Sequence, residues 1–256
     1  HWLLAGLVAI AVKSVTKLSV VLTLWGSDMI LLKLPLIGCF FKIIIGRASA
    51  IICENQQFKQ YLESQGIQSH KISVIPNGHD LDHFKPEDKS TARLKLSLPA
   101  HKFVILTAGR LVPVKGQGDL IKSLPAILQH TPNVLLVILG EGELRDSLMR
   151  LAKTLGVSQC VIFAGHISSR EMPLWLNSAD LFVLPSLSEG SPNILIEAMS
   201  CGLPVAATRV GGIPEMIQDN IDGILVPPMA PQSLTTSIMS LISDPALRDR
   251  LGKYAS

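Results

Sequence analysis

The chain has 256 residues, of which 48% are hydrophobic and 17% charged, and its net charge at pH 7 is +3. A chain of this length forms one large domain or two small ones, and this composition excludes an intrinsically disordered protein. The net charge is too small to indicate electrostatic binding to nucleic acid. The four cysteines lie far apart without a Cys-x-x-Cys pair, which argues against a disulfide framework or a zinc site and favours a reducing cytoplasm.

The beginning of the chain carries two expectations. His1 opens an apolar run without a recognisable signal peptide, which indicates a fragment. Residues 29–52 are the most apolar stretch, but charged residues, a proline and a glycine interrupt them, so no transmembrane helix is expected. Residues 1–53 suit contact with anionic lipid, the alternative being a buried α/β layer with solvated lysines. Their charged residues are Lys13, Lys17, Lys33, Lys42 and Arg47 against the single acid Asp28.

Short apolar runs alternate with longer amphipathic runs along the chain. Most of the apolar runs are continuous Val, Ile and Leu, which is typical of parallel strands covered on both faces. Their alternation with helical patterns predicts a doubly wound α/β fold. The predicted strands are 20–24, 50–53, 72–75, 103–108, 134–139, 161–164, 181–184, 204–206 and 223–226. The predicted helices span about 55–65, 115–130, 143–155, 169–178, 192–201 and 232–243.

A polar, proline-containing stretch over residues 76–89 separates two apolar blocks and indicates a domain linker. The predicted organisation is a partial N-terminal Rossmann-like domain over residues 1–80, a linker over 81–88 and a C-terminal domain over 89–256. Residues 1–80 contain too few predicted strands for a complete Rossmann-like domain, which agrees with a truncated chain.

The loop after the predicted strand 103–108 carries two cations. Ligands of open α/β sheets bind at the carboxyl ends of the strands, so this loop is a candidate binding site. Arg110 and Lys115 stand between Gly109 and Gly116, which allow tight turns. Two cations in one cleft suit a diphosphate, and Arg can bind two oxygens at once. The alternative is a solvated loop between a strand and a helix.

Two glutamates flank a predicted helix start. Ser191 followed by Pro192 indicates an N-cap and a first-turn proline, and a helix N-terminus favours an anion. Glu189 and Glu197 are poor ligands for phosphate but good acceptors for sugar hydroxyls. The pair therefore suits the two sugars of a sugar nucleotide, the alternative being a solvated loop acid and an ordinary helix residue.

Two further glycine segments carry less information. Gly140-Glu141-Gly142 matches a dinucleotide-binding fingerprint only in its first two glycines, because Arg145 occupies the third position. Acidic residues stand where a pyrophosphate would bind, so an NAD site is not expected. Residues 210–215 form a glycine turn that either closes on a ligand or only connects two elements.

Together, these segments resemble glycosyltransferase family 4 of the GT-B superfamily over essentially the whole chain. Glu189 and Glu197 match the E-x7-E motif of that family. The resemblance implies two Rossmann-like domains facing a cleft, a nucleotide-sugar donor in the C-terminal domain, and transfer with retention of configuration and without a metal or cofactor. The other matching segments are Gly109-Arg110 with Lys115-Gly116, Leu184-Pro185-Ser186, Glu197-Ala198-Met199, Gly202-Leu203-Pro204-Val205, Gly211-Gly212-Ile213-Pro214-Glu215 and Val74-Ile75-Pro76-Asn77-Gly78.

The resemblance also implies roles for single residues. Arg110 and Lys115 bind the donor diphosphate and stabilise charge on the leaving nucleotide, and Glu189 holds hydroxyls of the transferred sugar, which makes these three the catalytic candidates. Glu197 accepts hydrogen bonds from the ribose hydroxyls. Further donor-binding candidates are Gly109, Gly190, Ser191, Pro192, Asn193, Gly165 and Ile167.

One segment departs from the family pattern. Members often have His-Gly-x-Asp where this chain has Trp25-Gly26-Ser27-Asp28, so the role of that His is not transferred to Trp25. Gly26 and Asp28 are candidates for the acceptor side. The alternative for Asp28 is a helix cap.

The predicted function is that of a retaining, hexosyltransferase-like glycosyltransferase acting on a lipid-linked or polysaccharide acceptor in cell-envelope polysaccharide biosynthesis. The predicted partners are a nucleotide-sugar donor, a glycan or lipid-linked acceptor and an anionic membrane contacted from the cytoplasm, without nucleic acid. The alternative is a nucleotide- or sugar-binding module, or a truncated fragment, that lacks turnover.

Overall fold

The computed structural model describes residues 2–16, 18–26, 28, 32 and 35–255. These residues divide into two compact units. Unit 1 comprises His1–Gly78 with the segment Glu189–Ser191, and unit 2 comprises His79–Ser188 with Pro192–Ser256. Each unit is built on its own parallel sheet.

The described part of unit 1 contains a three-stranded parallel sheet with the strand order β1-β2-β3. Exposed and buried residues alternate along the first strand, whereas Phe41 and Phe58 are fully buried in the core. The strands are β1 (Val21–Leu24), β2 (Ala50–Cys53) and β3 (Ile72–Val74). The helices are α1 (Trp2–Thr16), α2 (Pro35–Arg47) and α3 (Gln56–Ser64), followed by the 3₁₀ turn Ser69–Lys71.

Unit 2 is built on a sheet whose strands are β4 (Phe103–Ala108), β5 (Val134–Leu139), β6 (Val161–Gly165), β7 (Leu181–Leu184), β8 (Val205–Thr208) and β9 (Ile224–Val226). All of the pairings are parallel, and the order is β6-β5-β4-β7-β8-β9. Counted from β4, this is the doubly wound order in which ligands bind where the strand order reverses. That switch point lies between the carboxyl ends of β4 and β7.

Helices cover both faces of this sheet. Every residue of β5 is buried, as the continuous sequence VLLVIL predicts. Neighbouring residues such as Leu135 and Leu136 belong to two different apolar clusters, one on each face. The helices are α4 (Lys89–Lys95), α5 (Gln117–His130), α6 (Arg145–Thr154), α7 (Met172–Ser178), α8 (Asn193–Ser200), α9 (Ile213–Met216), α10 (Pro231–Ser243) and α11 (Pro245–Ala255).

The predicted doubly wound α/β class is confirmed, and each predicted strand overlaps an observed one. Helices α1, α2, α4 and α11 are not predicted by the sequence patterns. The first two are rich in apolar residues throughout, so the amphipathic period that indicates a surface helix is weak in them. Helix α4 lies in a polar stretch, where the side chain of Asp88 caps it by accepting from the N–H of Thr91 at 2.6 Å.

The predicted cap of α8 is wrong. The helix begins at Asn193, with Pro192 at the N-cap position and no side-chain cap. The backbone of Pro192 is extended, which places the first helical turn after the proline, so Ser191 lies outside the helix.

Among the described residues, no helix is both long enough and apolar enough to cross a membrane. Cys53, Cys160 and Cys201 are buried, and none of the three forms a disulfide bond within the described part of the chain. The side chain of Cys39 lies outside the described part of the chain, as do Lys17 and Lys33 of the predicted basic surface. The boundary between the two units falls between Gly78 and His79, and the segment Glu189–Ser191 belongs to unit 1. That the N-terminal domain binds the acceptor and the C-terminal domain binds the donor stays a prediction.

Candidate functional site

A cavity of about 510 Å³ lies in unit 2 at the carboxyl end of β4. This volume is in the range of roughly 300–1,000 Å³ that is typical of small-ligand sites. The loop after β4, the loop between β6 and α7, and the start of α8 form its walls. Seven of the predicted site residues line it, namely Gly109, Arg110, Lys115, Ile167, Pro192, Asn193 and Glu197.

Close backbone packing holds the loop after β4. A Cβ atom on Gly116 would lie only 2.0 Å from the carbonyl oxygen of Pro185, and Gly116 has a φ of +67°, so this position requires glycine. The carbonyl of Val114 accepts a hydrogen bond from the N–H of Leu187 at 2.7 Å. The loop is therefore held against the segment after β7, and its residues Arg110 and Lys115 line the same cavity.

The cavity combines two cations with one partly buried carboxylate. Arg110 and Lys115 lie in the loop after β4, and Glu197 lies in the second turn of α8. Burial raises the pKa of Glu197 above its usual value, and the charge of His83 opposes that effect. Such a set can hold an anion through the two cations and accept hydrogen bonds from hydroxyl groups through the carboxylate.

Two residues outside the predicted set hold the walls of the cavity. The Nε2–H of His83 donates to the carbonyl oxygen of Ser169, which lines the cavity, at 3.0 Å. The side-chain amide of Gln117 donates to the carbonyl oxygen of Arg110 at 3.0 Å. Local sequence patterns did not indicate these contacts, although Gln117 stands directly after the motif that contains Lys115 and Gly116.

In unit 1, two asparagines hold the segment Glu189–Ser191. The side-chain amide of Asn55 donates to the carbonyl oxygen of Gly190 at 3.0 Å, and that of Asn77 donates to the carbonyl oxygen of Ser191 at 3.2 Å. The oxygen of the same Asn55 side chain caps α3 by accepting from the N–H of Phe58 at 2.7 Å. This segment is therefore held chiefly by polar side chains.

Glycines make the packing around that segment close. A Cβ atom on Gly26 would lie 2.7 Å from the Cα atom of Gly190. A Cβ atom on Gly190 would lie 1.7 Å from Oε1 of Glu54. The Glu54 carboxyl is therefore packed directly against the backbone of Gly190, and neither glycine has space for a side chain.

Glu54 is a buried acid that the sequence patterns did not indicate. Only 7% of it is exposed, and burial raises its pKa above the usual value. A hydrogen bond from the backbone of Gly26 opposes this shift, while the charges of Asp28 and Glu189 raise the pKa further. Glu54 directly follows the apolar strand β2, and a carboxyl at the carboxyl end of a parallel strand is the sequence feature that could have marked it as a site residue.

The remaining predicted residues lie outside the cavity lining. Asp28 is 2% exposed, and its carboxylate accepts from the N–H of Trp25 at 2.7 Å, a local bond of the kind that caps a helix. Gly165 ends β6, where its carbonyl oxygen accepts from the N–H of Gly140 at 2.7 Å. The functional roles given to these residues and to Gly26, Glu189, Gly190 and Ser191 stay predictions.

Two family models match the chain. The model described as "Glycosyl transferases group 1" matches residues 88–256, which is more than half of the chain, and the model "Glycosyltransferase Family 4" matches residues 1–83. The chain belongs to the glycosyl transferases group 1 family. The resemblance found in the motifs is thereby confirmed.

Relatives of this family member include two bacterial transferases. The chain is 34% identical over 187 residues to the D-inositol 3-phosphate glycosyltransferase of Segniliparus rotundus, covering 72% of this chain and 42% of that protein. It is 33% identical over 192 residues to the GDP-mannose-dependent alpha-(1-6)-phosphatidylinositol monomannoside mannosyltransferase of Mycolicibacterium smegmatis. That match covers 72% of this chain and 50% of that protein. The chain spans about half the length of the curated relatives it matches.

A solved structure that contains UDP has the same fold. HepE of Anabaena in complex with UDP superimposes with a TM-score of 0.87 and 25% identity, covering 98% of this chain and 70% of that chain. The predicted fold class, an α/β protein of the GT-B type, is thereby confirmed.

Proposed function

We propose that this chain carries the donor site of a glycosyltransferase that moves a sugar from a nucleotide-diphosphate sugar to an acceptor hydroxyl. The observation that carries the proposal is the cavity at the switch point of unit 2, where Arg110, Lys115 and Glu197 meet. The names of the relatives support a nucleotide-sugar donor, since one is GDP-mannose-dependent and the solved HepE structure contains UDP.

In this proposal the two cations carry the electrostatic part of the reaction. Arg110 and Lys115 bind the diphosphate and stabilise the negative charge that grows on the leaving nucleotide. Divalent metals perform this task in many enzymes of phosphate chemistry, and the proposed transfer here is independent of metal. The carboxylate of Glu197 accepts hydrogen bonds from the ribose hydroxyls and orients the nucleoside.

The transferred sugar is proposed to be held by groups after β7. Glu189 accepts hydrogen bonds from its hydroxyls, and the N–H groups at the start of α8 face the sugar and phosphate. Both glutamates act as positioning groups, so no covalent glycosyl intermediate is proposed. The bond between the sugar carbon and the phosphate oxygen breaks, and the acceptor oxygen bonds to that carbon on the same face, which retains the configuration. The hydroxyl proton passes to the leaving phosphate.

The acceptor is proposed to be a lipid-linked or polysaccharide glycan, with Gly26 and Asp28 on the acceptor side. Val8, Val12 and Val15 of α1 are exposed apolar residues, and Lys13 of the same helix donates through Nζ to the carbonyl oxygen of Arg47 and to Oγ of Ser49. Such a surface favours peripheral contact with an anionic membrane from the cytoplasm. Cosedimentation with anionic vesicles at low salt tests the contact, and a chain that stays in the supernatant contradicts it.

Calorimetric titration with UDP, GDP and ADP, each with and without its sugar, tests the donor site. We expect one nucleotide to bind in the micromolar range, and we expect Arg110→Ala with Lys115→Ala to weaken that binding by about 100-fold or more, because charge-assisted hydrogen bonds contribute about 1.5–3 kcal/mol each. The matched control removes two exposed cations from α6 by Arg150→Ala and Lys153→Ala. It should bind like the wild type.

Each outcome has a distinct meaning. Equal losses in both double variants indicate general electrostatic attraction and contradict a built diphosphate site. A folded wild-type chain that binds none of the nucleotides contradicts the donor-site proposal. Tight binding of a nucleotide sugar without consumption of it, in the presence of glycan and lipid acceptors, supports a binding module without turnover.

A further inference from the structure

Two buried side-chain polar atoms in the described part of the chain have no hydrogen-bond partner, Oε1 of Glu54 and Oε1 of Gln117. A buried oxygen without a donor lowers the stability of the fold, so such atoms are rare and each calls for an explanation. Gln117 belongs to unit 2, whose cavity holds the proposed diphosphate site.

Gln117 ties the start of α5 to the backbone of Arg110. It is the first residue of α5 and only 2% exposed. Its Nε2–H donates to the carbonyl oxygen of Arg110 at 3.0 Å, and the same carbonyl accepts from the N–H of Val112 at 3.0 Å. The amide therefore fixes the backbone from which the Arg110 side chain extends.

Packing alone does not require an amide at this position. Methionine has about the same length, lacks strong polar atoms and can fill the same buried space without an unsatisfied oxygen. Glutamine is thus a costly residue at position 117, and its visible contribution is the hydrogen bond to Arg110. A costly polar group that holds a binding loop is typical of sites where function and stability compete.

We infer that Gln117 is a positioning residue for the donor diphosphate. Its amide holds the Arg110 backbone in place before the ligand binds, so less ordering remains to be done when the guanidinium meets the phosphates. This inference rests on the proposed function, because it takes Arg110 as the diphosphate ligand. Gln117 would thus affect diphosphate binding without contacting the diphosphate.

The test uses Gln117→Met and measures thermal unfolding and nucleotide affinity separately. We expect the variant to melt at the same temperature as the wild type or higher, since the unsatisfied oxygen is gone. We expect it to bind the preferred nucleoside diphosphate about tenfold more weakly, the usual scale for one lost hydrogen bond. Its affinity for the matching nucleoside without phosphates should be unchanged.

A double-mutant cycle tests whether Gln117 acts through Arg110. In the background Arg110→Ala, the change Gln117→Met should cause no further loss of affinity. Ser123→Ala is the matched control, because Ser123 is also a buried polar residue of α5 but lies outside the cavity lining. Its affinity for the nucleoside diphosphate should equal that of the wild type.

The outcomes separate this inference from the proposed function. A wild-type chain that binds a nucleoside diphosphate while folded Gln117→Met binds it equally well overturns the inference alone. Equal loss with and without Arg110 also overturns it. A wild-type chain that binds no nucleoside diphosphate overturns both. Should Gln117→Met not fold, Gln117→Leu takes its place with the same expected values.

Discussion

Residues 109–116 and the segment Glu189–Ser191 each carry proposed charged ligands of the donor, yet the groups that confine them differ. Backbone packing holds the first, since a Cβ atom on Gly116 would nearly touch the carbonyl oxygen of Pro185. Side-chain amides of Asn55 and Asn77 hold the second, beside the buried carboxyl of Glu54. Both segments are closely packed, but backbone atoms chiefly confine the loop with the cations, whereas polar side chains, one of them the titratable Glu54, confine the segment with Glu189.

The largest effect is expected at Gly116, where an added Cβ atom would lie 2.0 Å from a backbone atom. Gly116→Ala should lower the free energy of unfolding of the chain by about 3 kcal/mol or more, because the new methyl group meets backbone that cannot move away. Gly156→Ala is a matched control, since Gly156 has a similar φ of +70° but a Cβ atom added there would meet nothing within 4 Å. The free energy of unfolding of Gly156→Ala should fall by only about 1–2 kcal/mol, because alanine is disfavoured in the left-handed backbone conformation. Denaturant titration measures both values, and equal losses would contradict the steric account.

The next effect concerns the carboxylate of the cavity. Glu197→Gln should weaken binding of the preferred nucleoside diphosphate by about tenfold, since a hydrogen bond to a charged acceptor is lost. Burial raises the pKa of Glu197, and a carboxylate that accepts hydrogen bonds from the ribose hydroxyls does so best when ionised. The ratio of the wild-type affinity to the variant affinity should therefore rise as the pH increases from about 4.5 through the raised pKa, while titration of the ligand's own phosphate acts on both proteins alike. Calorimetry over this pH range measures both, and parallel profiles would contradict a role for the carboxylate.

A smaller effect is expected for the polar hold on Glu189–Ser191. Asn55→Ser keeps an N-cap for α3 but loses the amide that donates to Gly190, so unfolding should become easier by about 1 kcal/mol. Asn55→Ala loses the cap as well and should cost about 2 kcal/mol in total. Thermal or denaturant unfolding measures the difference. If serine and the wild type are equally stable, the bond to Gly190 does not stabilise the fold.

The smallest expected effect is a pH dependence of stability that comes from Glu54. Its folded pKa lies above its unfolded value of about 4.5, so the folded state binds the proton more tightly. The contribution of Glu54 to stability is thus complete below that unfolded value and is lost as the pH rises through the raised folded pKa. The stability of Glu54→Gln relative to the wild type should therefore increase as the pH rises from about 4.5 to 7. Melting curves across this range measure it, and a constant difference would contradict the expected shift.

Much of the cavity of unit 2 could be predicted from the sequence because its groups stand in short, local motifs. Arg110 and Lys115 follow one continuous apolar strand, and strand ends of a parallel sheet meet at one edge. Glu197 lies one helical turn inside α8, at a spacing that brings it to the same edge. Hydrophobic periodicity, turn signals and the positions of glycines are therefore sufficient to predict which charged residues meet at this edge of the sheet.

The cap of α8 shows where such rules stop. Ser191 and Pro192 match the pattern of an N-cap followed by a first-turn proline, but in the fold the helix starts one residue later. Local propensity favours Ser191 as the cap, but the carbonyl oxygen of Ser191 accepts from the side-chain amide of Asn77, a contact of the tertiary structure. Helix boundaries read from local patterns can therefore differ by a residue from those in the fold.

The sequence alone therefore determined the fold class, the family and the charged residues of the unit 2 cavity, because periodicity and short motifs are properties of neighbouring residues. Only the tertiary structure decided that Asn55 holds Gly190, 135 residues away, and that Glu54 is buried against the same glycine. It also showed that Gln117 fixes the carbonyl of Arg110. Contacts of this kind depend on which side chains share a buried space after folding, and burial determines whether a carboxyl or an amide finds a partner.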